Sequence, residues 1–313
     1  MKKYFILTTF ILGLILFTFI RSSGQSSLQD KNEYVDVDGA KLFVRLVGSG
    51  EPIVIVHGGP GMSHDYLAPQ LIDLLANDYQ LIFYDQRASG RSSGVADTTR
   101  LTISQFVRDI EFLRQHFKIN RLNLFGHSFG GLLAMYYTIA YPNNVNKLLL
   151  IDTSPASWEL NFPYFRKTIA ERQTEADKQE LSSIKAKEDF GTNPELMDRY
   201  LKVYFKPFFK DPLLTQNLVL GIDKNWVSNF NVTNDMVWNN LAGYDIHDKL
   251  KYINASTLIM HGDKSVISIE GAEAINRHIP DSKLVILKDV GHFPYIEDPK
   301  TFNRVVREFL KKK

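Results

Sequence analysis

One pentapeptide, Gly126-His127-Ser128-Phe129-Gly130, constrains the fold of this chain more than any other feature of its sequence. It follows the apolar run 122–125 directly and precedes a helix-forming run that ends near Ala140. A serine on so sharp a strand-to-helix turn needs glycine neighbours, because its backbone is strained and the strand and helix approach closely. The first N–H groups of the helix would point at the space above Ser128. The pattern therefore predicts an exposed, nucleophilic serine.

A second glycine-rich turn, His57-Gly58-Gly59-Pro60-Gly61, comes directly after the apolar run 53–56. Acyl transfer creates an oxyanion that must meet preorganised N–H donors, and glycines let backbone amides come close to it. Pro60 stiffens the turn, which argues against a merely flexible loop. We predict the backbone N–H groups of Gly59 and Phe129 as the oxyanion donors.

A general base is predicted at His292, in Gly291-His292-Phe293 after the apolar run 283–287. Histidine is the side chain whose pKa suits proton transfer near neutrality. The remaining histidines have other expected roles: orientation of neighbouring groups for His57 and His127, a structural hydrogen bond for His261, and surface or packing positions for His64, His116, His247 and His278.

Short β-type runs alternate with helical patterns along most of the chain, which predicts an α/β fold with a mostly parallel central sheet covered on both faces. Asp38-Gly39 predicts a hairpin between the first two runs. Thr102 and Asp298 are expected to cap helices. The predicted strands are 33–37, 41–46, 53–56, 80–84, 122–125, 147–151, 257–260 and 283–287, and helices are predicted at 66–75, 102–117, 131–140, 269–278 and from Pro299.

The β-type runs stop between 154 and 250, where the sequence is charged and aromatic and is broken by Pro163, Pro194, Pro207 and Pro212. Helical patterns at 164–187, 195–205 and 213–219 predict an inserted helical cap. The predicted organisation is therefore a leader at 1–24, a linker at 25–32, the first part of the α/β core at 33–153, the cap at 154–250 and the second part of the core at 251–313.

The N-terminus reads as an export segment. Lys2 and Lys3 precede sixteen uncharged residues, 5–20, which as a helix would rise about 24 Å, less than the roughly 30 Å of a bilayer core. Ser22 and Gly24 are small enough for a cleavage site before Gln25, although Arg21 disfavours cleavage. Both a cleaved signal peptide and an uncleaved membrane tether through 5–20 stay open, with the protein in a bacterial periplasm, outside the cell, or anchored to the membrane.

Charge and cysteine content exclude several functions. Loss of residues 1–24 removes three basic residues and changes the formal charge from +2 to −1, which gives no electrostatic reason to bind nucleic acid. Zero cysteines exclude disulfides, thiol catalysis and Cys-ligated zinc. We expect no cofactor and no metal, and a small molecule or a short peptide as the substrate.

The order Ser128 then His292 on an alternating sheet, together with the His57 loop, resembles the α/β-hydrolase superfamily, and specifically the proline iminopeptidase group of serine peptidases. Residues 85–92, Asp-Gln-Arg-Ala-Ser-Gly-Arg-Ser, resemble that group's Asp-Gln-Arg-Gly-x-Gly-x-Ser loop, with Ala88 at one glycine. The resemblance implies that cap glutamates bind the free amine of a substrate, although we expect most of them to be solvated. The available ones are Glu159, Glu171, Glu175, Glu180, Glu188 and Glu195, and the aromatic residues that could line a pocket are Trp158, Phe162, Tyr164, Phe208, Phe209, Trp226 and Trp238.

The acid of the triad is the point where the sequence departs from this resemblance. The superfamily usually delivers it from Gly-x-x-Asp after a late strand, and the matching stretch here, 262–265, ends in Ser265. A serine cannot stabilise an imidazolium as a carboxylate does. Asp152, after the strand that follows Ser128, is the first alternative, and Asp263 is the second. We expect a serine hydrolase acting through an acyl-enzyme, most like a proline iminopeptidase; a carboxylesterase or lipase-like enzyme and a non-catalytic binding protein are the alternatives.

Overall fold

A mostly parallel sheet of eight strands forms the centre of the protein, in the order β1-β2-β4-β3-β5-β6-β7-β8. The computed structural model describes residues 28–94 and 97–311. β2 pairs with both β1 and β4 in antiparallel fashion, and every later pairing is parallel. The α/β prediction is confirmed. The strands are β1 (Asp30–Val37), β2 (Ala40–Val47), β3 (Glu51–Val56), β4 (Tyr79–Tyr84), β5 (Leu122–His127), β6 (Val145–Ile151), β7 (Ser256–Gly262) and β8 (Ser282–Leu287).

Helices cover both faces of the sheet. Successive strand residues point to opposite faces, so Leu148 of β6 joins one apolar core with the helices at 103–116, 129–140 and 269–278, whereas Leu149 joins the other with the helices at 68–75 and 299–311. The helices are α1 (Ala68–Leu75), α2 (Ile103–His116), α3 (Phe129–Ala140), α4 (Trp158–Arg172), α5 (Glu175–Lys185), α6 (Pro194–Tyr204), α7 (Lys224–Asn240), α8 (His247–Leu250), α9 (Ile269–His278), α10 (Pro294–Glu297) and α11 (Pro299–Lys311).

Local signals in the core sequence are confirmed. Gly39 has a φ of +72° at the hairpin between β1 and β2. The Thr102 hydroxyl accepts a hydrogen bond from the Gln105 amide at the start of α2, and the Asp298 carboxylate accepts one from the Thr301 amide at the start of α11. Each cap satisfies an amide that has no partner inside its own helix.

Helices α4 to α7 follow β6 and precede β7, within the range 154–250, which we call the cap region. Two expectations for it are wrong. Pro163 lies inside α4, and the helix continues through it. Proline costs the helix only one hydrogen bond, and its ring here faces solvent. The seventeen-residue α7 has no counterpart in the sequence prediction. Its residues are weak helix formers, and it is held instead by an Asp223 cap and by burial of Trp226 and Val237.

The leader predicted at 1–24 lies outside the described residues, and so do residues 25–27 of the predicted linker, whereas residues 30–32, also predicted as linker, form the start of β1. Within 28–94 and 97–311, none of the helices combines the length and the apolar character needed to cross a bilayer.

Candidate active site

Ser128 stands between β5 and α3 with a φ of +56° and a ψ of −127°. This is the left-handed region, which costs a residue with a Cβ atom of order 1–3 kcal/mol and persists only where the surroundings enforce it. The surroundings are tight, since a Cβ on Gly126 would lie 2.5 Å from the Gly130 carbonyl oxygen, and a Cβ on Gly130 would overlap the Val56 carbonyl. The glycines of the pentapeptide are therefore required by close packing, and the turn presents Ser128 to a cavity.

Asp152 is the residue that the structure brings to His292. It follows β6, the parallel neighbour of β5, and has a φ of +42°. His292 Nδ1 donates to Asp152 Oδ1 at 2.6 Å, and the Gly262 amide donates to Asp152 Oδ2 at 2.9 Å. Both side chains of the pair are buried, and His292 lines the same cavity as Ser128.

The environment of Asp152 keeps its carboxylate ionised. Burial alone would raise the pKa, but the charges of His261 and His292 and the hydrogen bonds from His292 and the Gly262 amide outweigh it and lower the pKa to about 2. His261 Nδ1 lies 3.7 Å from Asp152 Oδ2, and His261 Nε2 donates to the Ile267 carbonyl at 3.1 Å. Asp152 is therefore a carboxylate at neutral pH, as an imidazolium-stabilising group must be.

Asp263, the alternative acid, is turned away from His292. Its Oδ1 accepts from the Asp289 amide at 2.6 Å, and its Oδ2 pairs with Lys264 Nζ at 3.1 Å. Ser265, at the position where the acid was expected, donates its hydroxyl to Asp152 Oδ1 at 2.5 Å. Ser265 therefore contacts the acid instead of replacing it.

The loop that carries Gly59 lies beside Ser128 at the cavity. Gly59 has a φ of +123°, and Phe129 is the first residue of α3. Among the described residues, neither the Gly59 amide nor the Phe129 amide donates to another protein group. Two N–H donors near Ser128 are thus available to a ligand oxygen, which is the arrangement that an oxyanion requires.

His57 ties this loop to the Asp85–Ser92 loop. Its Nε2 accepts from the Gln86 amide at 3.0 Å, so its Nδ1 carries the proton and donates to the Gly58 carbonyl at 2.7 Å. Gln86 Nε2 returns a hydrogen bond to the His57 carbonyl at 2.7 Å. Burial lowers the pKa of His57 to about 4, so the ring stays neutral and holds one tautomer.

A chain of hydrogen bonds that sequence reasoning missed links the Gly58 loop, the Ser128 turn and the His292 loop; we call it the Tyr66 chain. The Gly58 amide donates to the Tyr66 hydroxyl at 2.6 Å, and that hydroxyl donates to His127 Nδ1 at 2.8 Å. His127 Nε2 donates to the His292 carbonyl at 2.9 Å. Burial lowers the pKa of His127 to about 3, which keeps the ring neutral and able to accept from Tyr66. No sequence signal marks Tyr66, because its partner His127 is 61 positions away.

His292 is also held from the cap region. Its backbone amide donates to the Phe208 carbonyl at 2.7 Å, and the Phe208 ring packs against the imidazole with centroids 5.5 Å apart. The backbone of His292 is therefore fixed on one side by His127 of the core and on the other by Phe208 of the cap region.

The Asp85–Ser92 loop, which contacts His57, is itself held by hydrogen bonds to Asp85. Asp85 Oδ1 accepts from both the amide and Nδ1 of His64, at 2.9 and 2.7 Å, and Asp85 Oδ2 accepts from the Arg91 amide at 2.8 Å. His64, expected at the surface or in packing, is fully buried in this pair. Its role here is a structural one.

A cavity of about 590 Å³ opens above Ser128 and His292. No carboxylate lines it among the described residues; Lys185 is its one lysine or arginine. The six cap glutamates all lie outside its lining: five are exposed, and Glu180 pairs with Arg199 at the surface. Of the aromatic residues named from the sequence, Phe162, Phe208 and Trp238 line the cavity, and Trp158, Tyr164, Phe209 and Trp226 do not.

Across 28–94 and 97–311, no three His, Asp or Glu side chains are grouped as metal ligands, and the expectation of a cofactor-free site stays a prediction.

Comparison with known proteins places this geometry in a family. The model of the family described as "alpha/beta hydrolase fold" matches residues 51–299. A curated proline iminopeptidase of Saccharolobus solfataricus is 28% identical over 93% of this chain and 96% of its own length, and one of Lactobacillus delbrueckii subsp. lactis is 26% identical over 90% and 99%.

Solved structures agree on the fold. The proline iminopeptidase of Mycobacterium smegmatis superposes with a TM-score of 0.68 at 22% identity, over 90% of this chain and 97% of that one. An esterase of Exiguobacterium antarcticum gives a TM-score of 0.69 at 24% identity, over 90% and 100%. The chain therefore belongs to the α/β-hydrolase family, and it is a hydrolase that resembles the proline iminopeptidases.

Proposed function

We propose that this protein is a serine hydrolase that works through an acyl-enzyme. The observation that carries the proposal is the 2.6 Å hydrogen bond from His292 to Asp152, on a histidine that shares a cavity with the strained Ser128. In this mechanism Ser128 Oγ attacks the substrate carbonyl carbon while His292 Nε2 takes the hydroxyl proton. Asp152 stabilises the imidazolium and holds its tautomer.

The tetrahedral oxyanion then accepts from the amides of Gly59 and Phe129, which have no other partner among the described residues. His292 returns its proton to the leaving alcohol or amine, and the bond to the carbonyl carbon breaks, which leaves the acyl group on Ser128. A water molecule, deprotonated by His292, attacks the acyl-enzyme and regenerates the serine.

The first candidate for the substrate is a short peptide or amide from which an N-terminal proline, or another small residue, is removed. Its support is the set of curated proline iminopeptidases, which are 24–28% identical over about 90% of the chain. An N-terminal proline presents a positive charge, and such a charge needs a carboxylate or carbonyl partner when it is buried.

The second candidate is an uncharged carboxylic ester, and one observation favours it. The described lining of the cavity is mainly aromatic and aliphatic and includes Lys185 but no carboxylate, so that the asparagine amides of Asn161, Asn231 and Asn234 are its uncharged alternatives as partners for an ammonium group. An apolar acyl chain would gain burial at roughly 25 cal/mol per Å² without any such partner. The two candidates therefore differ in the charge that the cavity has to accept.

A fluorophosphonate probe tests the common mechanism. We expect covalent labelling of the wild type and none of Ser128→Ala, with the two proteins equally folded by circular dichroism. A folded wild type that is neither labelled nor active would reject the hydrolase mechanism and leave the non-catalytic binding protein.

A substrate panel then separates the candidates. Proline p-nitroanilide, its N-acetyl form and p-nitrophenyl butyrate present an ammonium, a neutral amide and a neutral ester to the same site. Preference for the free proline amide supports the aminopeptidase. Preference for the ester, with the N-acetyl amide cleaved better than the free amine, supports the carboxylesterase.

A further inference from the structure

We propose that Ser265 is a positioning residue of the triad, which acts by holding the Asp152 carboxylate in the orientation that receives His292. The proposal rests on the proposed function, since it concerns how the same triad works. It assigns a role to the residue that occupies the expected position of the acid and that the mechanism above leaves without one.

The hydrogen bonds around Ser265 leave its hydroxyl proton a single acceptor. Its Oγ accepts from the Ile267 amide at 3.0 Å, and it donates to Asp152 Oδ1 at 2.5 Å. His292 Nδ1 lies 3.5 Å from the same Oγ, but that nitrogen already donates to Asp152 and cannot accept. The side chain is 1% exposed, so water does not compete for it. The Ser265 proton is therefore committed to the carboxylate.

The carboxylate of Asp152 needs such a donor because of where the residue stands. It follows β6 in the left-handed region, and the terminal torsion of an Asp side chain is broad when nothing fixes it. The Gly262 amide fixes Oδ2, and Ser265 fixes Oδ1. Two donors on different oxygens determine the plane of the carboxylate, and His292 Nδ1 then meets Oδ1 at 2.6 Å. Loss of the Ser265 donor leaves His292 alone to orient that oxygen.

Two variants test the role directly. We expect Ser265→Ala to lower kcat about 10- to 100-fold with little change in KM, because hydrogen bonds to charged groups are the strong ones. We also expect the acid limb of its kcat–pH profile to move to higher pH, since Oδ1 then directs its whole charge at the imidazolium. Ser265→Thr keeps the hydroxyl and should restore most of kcat. A purely structural role would change the unfolding midpoint but would not move the acid limb.

A second experiment uses the 3.5 Å separation of Ser265 Oγ from His292 Nδ1. An aspartate at 265 is one bond longer and reaches the imidazole from the neighbouring loop. We expect Asp152→Asn to lose about 10⁴ in kcat, as removal of a triad carboxylate does elsewhere. Adding Ser265→Asp to Asp152→Asn should recover about 100-fold. The matched control adds the charge to the adjacent, partly exposed Lys264 instead, and Lys264→Asp in the Asp152→Asn background should recover nothing.

The outcomes divide cleanly. Normal kcat and an unmoved acid limb in Ser265→Ala would overturn the proposal, as would a folded Asp152→Asn/Ser265→Asp protein no more active than Asp152→Asn. If Ser265→Ala does not fold, the Thr variant and the double variant decide the question. Failure of the proposed function is recognised separately, because the wild type itself would then escape fluorophosphonate labelling and leave every substrate intact.

Discussion

The carboxyl end of the sheet and the cap region differ in how they hold their side chains. At the sheet, polar groups such as Asp152, His127 and Tyr66 are buried, and each is fixed by hydrogen bonds of 2.5 to 3.0 Å. In the cap region, the cavity is walled mainly by aromatic rings, and charged pairs such as Glu180–Arg199 lie at the surface. Hydrogen bonds fix the orientation of the polar side chains in the core, whereas the apolar side chains of the cap region define only the shape of the cavity.

This difference predicts which kinetic constant a substitution in each region should change. A buried polar group that loses its partner costs its full desolvation penalty, and its neighbours lose their orientation. An apolar ring that is shortened loses contact area in rough proportion to its size. We therefore expect core variants to change kcat and cap variants to change KM.

The sharpest contrast within the core is between its two candidate acids. We expect Asp152→Asn to lower kcat by about 10⁴, whereas Asp263→Asn should stay within about twofold, because Asp263 contacts Lys264 and the Asp289 amide rather than His292. Steady-state kinetics on the best substrate of the panel measures both. Collapse of the Asp263 variant with survival of the Asp152 variant would reverse the assignment of the acid.

The buried, neutral histidines of the core should make the protein acid-sensitive. The pKa of His57 is lowered from 6.5 to about 4, so between those pH values the unfolded chain binds a proton that the folded one does not. Stability is then fully present above pH 6.5 and falls as the pH drops towards 4, by on the order of 3 kcal/mol for this residue. Urea unfolding at pH 7.0 and 4.5 measures the loss.

Two variants sharpen that prediction. His57→Asn should be less stable at pH 7.0 but should lose less on acidification than the wild type. His116→Asn is the matched control, since the His116 side chain lies at the surface beside Glu33, away from the His57 loop. An unchanged acid loss in His57→Asn would place the sensitivity in other groups, of which His127, whose pKa burial lowers to about 3, is the first.

The Tyr66 chain gives a smaller effect. Tyr66→Phe leaves the Gly58 amide and His127 Nδ1 without partners, which should cost about 1–3 kcal/mol of stability for each group. We expect kcat to fall about 10-fold, because both the oxyanion loop and His292 lose a constraint. Tyr79→Phe, which removes a hydroxyl away from the cavity, is the control. A normal kcat in Tyr66→Phe would mean that the loops are fixed without the chain.

The smallest effect is expected from the cap region, where two tryptophans form a matched pair. Trp238 of α7 lines the cavity and packs on Phe129, whereas Trp158 of α4 stacks on Phe162 without reaching the cavity. Trp238→Ala should raise KM several-fold for apolar substrates with little change in kcat. Trp158→Ala should lower the unfolding midpoint and leave KM unchanged. If Trp238→Ala and Trp158→Ala raised KM equally, then lining the cavity would not be what distinguishes Trp238 from Trp158.

Sequence reasoning succeeded where a signal is local. The strand, the glycines and the helix around Ser128 are contiguous, and the caps at Thr102 and Asp298 act within three residues. It left the acid open between Asp152 and Asp263, because the partner of Asp152 is 140 positions away and only the order of the strands brings them together. The roles of these residues in catalysis stay predictions until the variants are measured.

The structure of the cap region was the least predictable part, because the contacts that determine it are not local in the sequence. Helix α7 carries residues of low helical propensity, and its burial against the core, at Trp226 and Val237, decides its structure. The cap glutamates carry no periodicity that tells a cavity-facing charge from a solvated one. Such placements depend on tertiary packing, which the pattern along the chain does not encode.

The hydrogen bond from the His292 amide to the Phe208 carbonyl has a kinetic consequence. Phe208 also lines the cavity, so a ligand that displaces Phe208 also displaces the backbone of His292, the proposed base. Substrates of the wrong shape would then occupy the pocket and dissociate before the acyl transfer, as non-productive competitors. Discrimination between substrates would then appear in the fraction of bound substrate that goes on to acyl transfer, as well as in the time that each substrate stays bound.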